Sequence, residues 1–408
     1  MSSNITLNKT NRISGVVSNL PSSKSISNRA IIIKALAGKA SQLLNLSDAN
    51  DTQLMLKLIE SSEPVLNVED AGTTMRFLTA FKSVSGATCT ITGTDRMKQR
   101  PIKILVDALR TIGAQIEYPE QEGYPPVKIQ GFSGQKTREV TIRGDVSSQY
   151  ISALMMIAPA LPQGLLIRFE GKITSRPYLE MTAALMRQFG AFVDFTDTGI
   201  NIPHQAYRPA TITVESDWSA ASYWFSFTAL ANQAEITLPR ITLDSLQGDR
   251  VIVDIMKPLG VNAELRGSDL LLTKANHVAE VSWDFVDCPD LAQTVAVVCA
   301  AKGIVGKFTG LESLRIKETD RIKALQTELA KTGASFEEVG DKWVLTPGSA
   351  ELRNGILFNT YLDHRMAMAF APLCALADVV IEDPAVTRKS YPKFWDDVRL
   401  TGIKTTLS

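Results

Sequence analysis

Six turns in this chain place Lys, Arg, Ser, Thr, Asp or Gly next to an apolar, Ala-rich stretch that reads as a helix. Lys24, Ser25 and Arg29 stand at the first of these starts, and Gly72, Thr73 and Arg76 at the second. Ser147, Ser148 and Gln149 stand at the third, Ser219 at the fourth, Asp290 at the fifth, and Asp363, His364 and Arg365 at the sixth. A helix N-terminus presents unpaired N–H groups at the positive end of its dipole, so it attracts anions. Taken singly, each turn reads as an ordinary cap. Their joint recurrence predicts a site for a highly anionic ligand.

Other basic segments lie between the helix starts. RMKQRPI carries Arg96, Lys98 and Arg100 just before Pro101, which is expected at the first position of an amphipathic helix. TSRPYLE repeats the Arg-Pro-helix shape with Ser175, Arg176 and a phenol at Tyr178. In RIKETDRIKAL, helical spacing puts Lys317 and Arg321 on one face with Glu318 three residues before Arg321. Read alone, that segment could equally be an exposed ion-pair ladder. TRKSYPKFW brings Lys389 shortly before the last helix.

The elements that position these residues form a repeat of roughly 70 residues. In phase with the apolar helices run amphipathic segments that end in a glycine and continue with strand-like alternation: ALRTIGAQIEY, ALMRQFGAFVDF, IMKPLGVNAEL and ELAKTGASFEEV. Glycine there suits the left-handed residue that closes a helix. Each copy reads as strand, apolar helix, strand, amphipathic helix and strand pair. The first copy is shorter, because LKLIESSEPVLNV lacks both the glycine and the following hairpin.

Composition bounds the rest. A chain of 408 residues suits two domains, and 45% apolar with 21% charged residues is the mix of a globular protein. Lys plus Arg and Asp plus Glu balance at 43 each, so net charge points to neither nucleic acid nor a membrane surface as partner. Cys89, Cys288, Cys299 and Cys374 are scattered without metal-ligand spacing, and the three histidines lie far apart, so no metal site is expected. Reduced thiols fit a cytoplasmic protein. The start MSSNITLNKTNRISG has no apolar core or Arg-rich amphipathic stretch, so neither a signal nor a transit peptide is expected.

The segments PSSKSISNRA, AGTTMRF, QRPI, DVSSQY, TSRPYLE, CPDLAQT, KETDRI, LDHRMAMAF and RKSYPKFW run in this order from about residue 20 to residue 395. Together they resemble the signature segments of the 5-enolpyruvylshikimate-3-phosphate synthase family. The resemblance implies an α/β fold of two lobes, each an inside-out barrel of three βαβαββ units around a shared cleft. Residues 1–20 with 216–408 would form one lobe and 21–215 the other, with hinge strands near 20–24 and 212–218. It implies transfer of the enolpyruvyl group of phosphoenolpyruvate to shikimate 3-phosphate, with no cofactor and no metal, by a monomer.

By the same match, shikimate 3-phosphate would be held by Lys24, Ser25, Arg29, Ser147, Ser148, Gln149, Ser175, Tyr178, Asp290 and Lys317. Phosphoenolpyruvate would be held by Lys24, Gly72, Arg100, Gln149, Arg321, Arg365 and Lys389. Asp290 would act as base, with Glu318 and Lys24 moving the methylene proton, while Asp70, Thr73, His364 and Ser313 stand close to these motifs. Asp70, Phe77 and Ser313 depart from the family's usual residues; the first two bear on the shape of the phosphoenolpyruvate pocket and so on glyphosate sensitivity. The sister enzymes that use UDP-N-acetylglucosamine carry a cysteine in the loop before the Arg-Pro helix and a Lys-Asn pair at the first site. This chain has Met97, Lys98 and Gln99 in that loop and Lys24-Ser25 at that site. A non-catalytic anion-binding scaffold would have no use for Lys24, Asp290, Glu318, Arg321 and Lys389 together.

Overall fold

Strand Glu280–Asp284 leads through the turn Pro289–Leu291 into helix Ala292–Lys302, and the chain returns as strand Val305–Thr309, parallel to the first. Helix Arg321–Ala330 follows, then the antiparallel pair Ser335–Val339 and Lys342–Thr346, the second of which pairs with Val305–Thr309. This computed structural model describes residues 3–145, 147–171, 173–349 and 351–408. The same βαβαββ order recurs from Val65–Asn67 to Val127–Phe132 and from Glu139–Arg143 to Gly199–Ile202.

Contacts divide the chain into two compact units, Met1–Pro21 with Glu215–Ser408, and Ser22–Val214. In the discontinuous unit, two modules complete their sheets with N-terminal strands. Arg12–Val16 runs parallel to Gln233–Leu238, and Asn4–Leu7 lies antiparallel between Val379–Glu382 and Thr405–Leu407. Among the described residues, five sheets are four-stranded. The sixth, Gln42–Leu44 with Thr211–Thr213, has only two strands. It belongs to the first repeat, where the segment without glycine or hairpin forms helix Asn50–Ile59 and passes directly to Val65–Asn67.

The two kinds of helix differ in what they bury. Every residue of helix Trp218–Leu230 except Ser219 is buried, and Ala292–Ala300 is buried throughout. In the first, Trp224 stacks on Phe227 with ring centroids 5.1 Å apart, and Phe394 closes edge-on against Tyr223 at 6.2 Å. Burying each such side chain contributes about 2–3 kcal/mol. Helix Lys103–Ile112 instead buries one stripe, Leu105, Val106, Ala108, Leu109 and Ile112. Strands such as Glu139–Arg143 alternate between exposed and buried residues, so their sheets keep one face in solvent. The amphipathic helices end as expected, with Gly190 at φ 78° and Gly333 at φ 81°. At Gly190 a side chain would also meet that of Arg208, at 2.9 Å.

Two local expectations are corrected. Helix Lys103–Ile112 begins after Ile102, so Pro101 stands ahead of the cap rather than at the first helical position. Helix Arg321–Ala330 begins at Arg321, with Asp320 capping it through the Lys323 N–H. Lys317 is extended, so it and Glu318 lie in the turn before the helix and not on its face. Nor is this an exposed ladder, because the Arg321 side chain is only 2% exposed.

Candidate active site

In the unit Ser22–Val214, the candidate residues gather at helix starts. Ser23 caps helix Lys24–Ala37 by accepting from the Ile26 N–H, which leaves Lys24 at the first turn. The Lys24 Nζ lies 3.1 Å from Asp51 Oδ2, and the Asp51 side chain is 3% exposed. Arg29 sits deeper. Its guanidinium donates to Thr182 Oγ1 (2.7 Å), Ser152 Oγ (3.2 Å) and the Ser25 carbonyl (3.0 Å). Phe77 and Tyr178 lie against it at 5.3 and 5.7 Å. With no carboxylate in that set, burial pulls Arg29 down to about 10.

The second and third helix starts meet. Arg76 Nη1 donates to the Gly72 carbonyl (2.8 Å) and to Gln149 Oε1 (3.1 Å), while Gln149 Nε2 donates to Thr73 Oγ1 (3.2 Å). Ser147 caps helix Ser148–Ile157, and buried Ser148 is its first residue. Ser175 precedes helix Arg176–Gln188 at φ 55°, a left-handed conformation costly for a residue with a side chain, and Tyr178 follows in the first turn. Asp70 is half-buried just before Ala71, the cap of helix Gly72–Val84.

Gly72 has a steric reason. A Cβ there would lie 2.6 Å from Arg76 Nη1 and 2.7 Å from Arg100 Nη1. Gly72→Ala must push both guanidinium tips aside and break the Arg76 bonds to Gly72 and Gln149. Loss of one charge-assisted bond is expected to lower unfolding free energy by about 1–2 kcal/mol in urea denaturation. Unchanged stability would show that both guanidinium tips move aside freely.

The discontinuous unit holds the second group. Arg321 donates from Nε to Asp363 Oδ2 (2.7 Å), from Nη1 to Asp290 Oδ1 (3.0 Å) and from Nη2 to Glu318 Oε2 (2.9 Å). Arg365 Nη2 donates to Asp290 Oδ2 (2.9 Å), and its Nη1 reaches the Asp290 carbonyl and the Tyr223 hydroxyl, both at 3.3 Å. Lys317 Nζ is 3.6 Å from Asp290 Oδ1, and Lys389 Nζ is 3.8 Å from Glu318 Oε1. Asp363 caps helix His364–Phe370 through the Arg365 N–H, and His364 Nδ1 lies 3.5 Å from its Oδ1.

These neighbours set the charges. Burial pushes the Asp290 carboxyl up, but Arg365, Lys317 and Arg321 outweigh it and hold it far below the usual carboxylate range. Burial would lower Arg321, yet Asp363, Glu318 and Asp290 raise it, so it stays charged. Burial, helped by Arg321 and Arg365, draws Lys317 down against Asp290 and Glu318.

Thus Lys317, Glu318, Arg321, Arg365 and Lys389 all converge around Asp290 or its partners. Ser313 is half-buried in the turn Glu312–Ile316, apart from any of the contacts just described. Sequence reasoning missed Asp51, Asp249 and Tyr223 as members of the site. Asp51 was findable, because it shares the buried face of helix Asn50–Ile59 with Met55, Leu58 and Ile59. A carboxylate on such a face needs a cation. Among the described residues, no group of three or more His, Cys, Asp or Glu is arranged to hold a metal ion.

Residues 7–63 and 57–398 match the family described as EPSP synthase (3-phosphoshikimate 1-carboxyvinyltransferase). The chain is 48% identical over 389 residues to the 3-phosphoshikimate 1-carboxyvinyltransferase of Bacteroides fragilis, covering 94% of each. It is 38% identical over 424 residues to that of Vibrio cholerae, covering 96% of this chain and 98% of the other. Its fold is similar to that of EPSP synthase from Acinetobacter baumannii, with a TM-score of 0.78 at 19% identity over the whole of both chains. With most of its length matched at this identity, the chain belongs to the EPSP synthase family.

Proposed function

We infer that the chain transfers the enolpyruvyl group of phosphoenolpyruvate to the 5-hydroxyl of shikimate 3-phosphate and releases phosphate. In a member of this family, the observation that carries the reading is the partly buried cluster in which Lys317, Arg321, Arg365 and Lys389 surround Asp290 and Glu318. Guanidinium groups with fixed forks suit the carboxylate and phosphate of phosphoenolpyruvate. Its proposed ligands are Lys24, Gly72, Arg100, Gln149, Arg321, Arg365 and Lys389. Shikimate 3-phosphate is assigned to Lys24, Ser25, Arg29, Ser147, Ser148, Gln149, Ser175, Tyr178, Asp290 and Lys317. Arg29 fits as a buried positive centre whose bonds to Ser25, Ser152 and Thr182 fix the helix that starts at Lys24.

In the addition step, the 5-hydroxyl oxygen bonds to the central carbon of phosphoenolpyruvate and its proton leaves to Asp290. The methylene carbon takes a proton from the Lys24 ammonium, or from Glu318 in its protonated form. Loss of phosphate, with return of a methyl proton to the enzyme, restores the enol ether. In the free protein three cations stabilise the Asp290 carboxylate too well for a good base. An anionic ligand that engages Arg365 and Arg321 weakens that hold, so substrate binding raises the basicity of Asp290 as it is needed.

Each unit is assigned three βαβαββ modules with the wholly buried helices inside and the half-exposed sheets outside, an inside-out barrel. The burial of Trp218–Leu230 on all sides, against alternating exposure in the strands, supports this arrangement. The protein is taken as a cytoplasmic monomer. A coupled assay should detect phosphate release from phosphoenolpyruvate with shikimate 3-phosphate and none with UDP-N-acetylglucosamine. Absence of release with the first overturns the assignment.

A further inference from the structure

Asp249 lies outside every motif that marks the family resemblance, yet it is built into the Asp290 cluster. It sits in the short turn of helix Gly248–Val251 and is 3% exposed. One carboxyl oxygen, Oδ2, accepts a short hydrogen bond from the Ser219 hydroxyl. The other, Oδ1, is buried with no hydrogen-bond partner among the described residues. Ser219 in turn accepts from Arg365 Nη2 at 3.4 Å, the same nitrogen that donates to Asp290 Oδ2 at 2.9 Å. A continuous chain therefore runs from Asp249 through the Ser219 hydroxyl to Arg365 and Asp290. Its direction is fixed, because Arg365 can only donate and so Ser219 must spend its one proton on Asp249.

We propose that Asp249 is a positioning residue for the anion site, orienting Arg365 through Ser219, and that its charge sets how strongly the cluster can hold phosphoenolpyruvate. The inference rests on the assignment of Arg365 as a ligand. The groups facing Asp249 define its state. Asp290 and Asp217 repel it, Arg365 attracts it, the Ser219 hydroxyl supports its charged form, and Cys288 adjoins it as a buried thiol. Burial first, then Asp290, pushes the Asp249 carboxyl up to about 6. It therefore titrates where its neighbour Asp290 is charged throughout.

The sign follows from the charge count. Lys317, Arg321, Arg365 and Lys389 contact three carboxylates, Asp290, Glu318 and Asp363, and Asp249 lies one hydroxyl away. Protonated Asp249 leaves a positive surplus for an incoming anion, and ionised Asp249 removes it. Affinity for phosphoenolpyruvate should then fall as pH rises through the Asp249 range. Linkage requires the converse, that binding draws a proton onto Asp249. Asp249→Asn keeps an oxygen to accept from Ser219 but cannot become charged.

The test measures the KM for phosphoenolpyruvate at saturating shikimate 3-phosphate for the full chain and its variants, from about pH 5.5 to about pH 8.5. The ligand's own titration is common to all of them, so the ratio of wild-type to variant KM isolates Asp249. For Asp249→Asn this ratio should be near one at the acid end and rise about threefold or more at the alkaline end, the scale of one charge at this range in a partly solvated site. A ratio that does not change with pH overturns the role of the charge. Ser219→Ala keeps the carboxyl but cuts the bridge. It should raise the KM across the whole range; an unchanged KM overturns the positioning of Arg365, even if Asp249→Asn fails to fold. Arg365→Lys separates the two levels. A raised KM with a flat Asp249→Asn ratio removes only this inference, while an unchanged KM in Arg365→Lys removes the ligand assignment beneath it.

Discussion

Lys24→Met is expected to lower kcat at least about hundredfold, the usual loss when a positioned acid or base is removed. It is also expected to lower stability, because the ammonium is more than a reactive group. Its Nζ lies 3.1 Å from Asp51 Oδ2, and the Asp51 side chain is 3% exposed. Removing one member of such a pair strands a buried carboxylate, at a cost of about 3 kcal/mol. The loss should be somewhat smaller here, since Lys24 itself is 16% exposed and water reaches its end of the pair. The two effects can be parted. The double variant Lys24→Met, Asp51→Asn removes the stranded charge and should regain most of the stability in urea denaturation, but none of the turnover. If turnover returns with stability, Lys24 serves only as the counter-charge of Asp51.

That pairing also marks the limit of what the sequence could say. The repeat was legible because each of its parts is local. The 3.6-residue period of Lys103–Ile112, the glycine after it and the alternation of the next strand lie within fifteen or so residues of one another. The completion of two sheets by Asn4–Leu7 and Arg12–Val16 was not legible, since their partners stand more than 200 residues away and alternation alone does not name a partner. The site divides in the same way. Cations at helix starts are conspicuous in the chain, but the groups that tune them come from afar. Asp51 is 27 residues from Lys24, Asp249 is 30 from Ser219, and Asp290 is 75 from Arg365.

Phe77 shows how a sequence departure gains meaning only in the fold. The residue suggested an altered phosphoenolpyruvate pocket. It is fully buried, and its ring lies 5.3 Å from the Arg29 guanidinium, which has no carboxylate in contact among the described residues. The ring face supplies part of the stabilisation that an ion pair gives elsewhere, worth about 1–2 kcal/mol for a desolvated cation. Phe77 thus bears first on Arg29 and, through the Arg29 bond to the Ser25 carbonyl, on the helix that starts at Lys24.

Arg321→Lys should be the most damaging exchange of like for like in the discontinuous unit. Arg321 divides one fork among three carboxylates, Asp363 at 2.7 Å, Glu318 at 2.9 Å and Asp290 at 3.0 Å, and its side chain is 2% exposed. An ammonium keeps the charge but cannot reproduce that planar geometry, so at least one buried carboxylate loses its donor. A loss of about 3 kcal/mol in unfolding free energy is expected. A fall of at least about hundredfold in kcat/KM should accompany it, the scale for losing an oriented cation from a reacting centre. Acid titration of stability distinguishes this cause from simple loss of packing. The folded-state Asp290 carboxyl is held far below its unfolded value by Arg365, Lys317 and Arg321. It therefore contributes stability that is complete above the unfolded carboxylate range, about pH 4, and is lost as pH falls toward the depressed folded value. The variant holds Asp290 less firmly and has less of this contribution to lose. The stability gap between wild type and Arg321→Lys should narrow as pH drops below about 4. A gap of constant size across that range would mean that the guanidinium matters for its volume, and not for the carboxylates it joins.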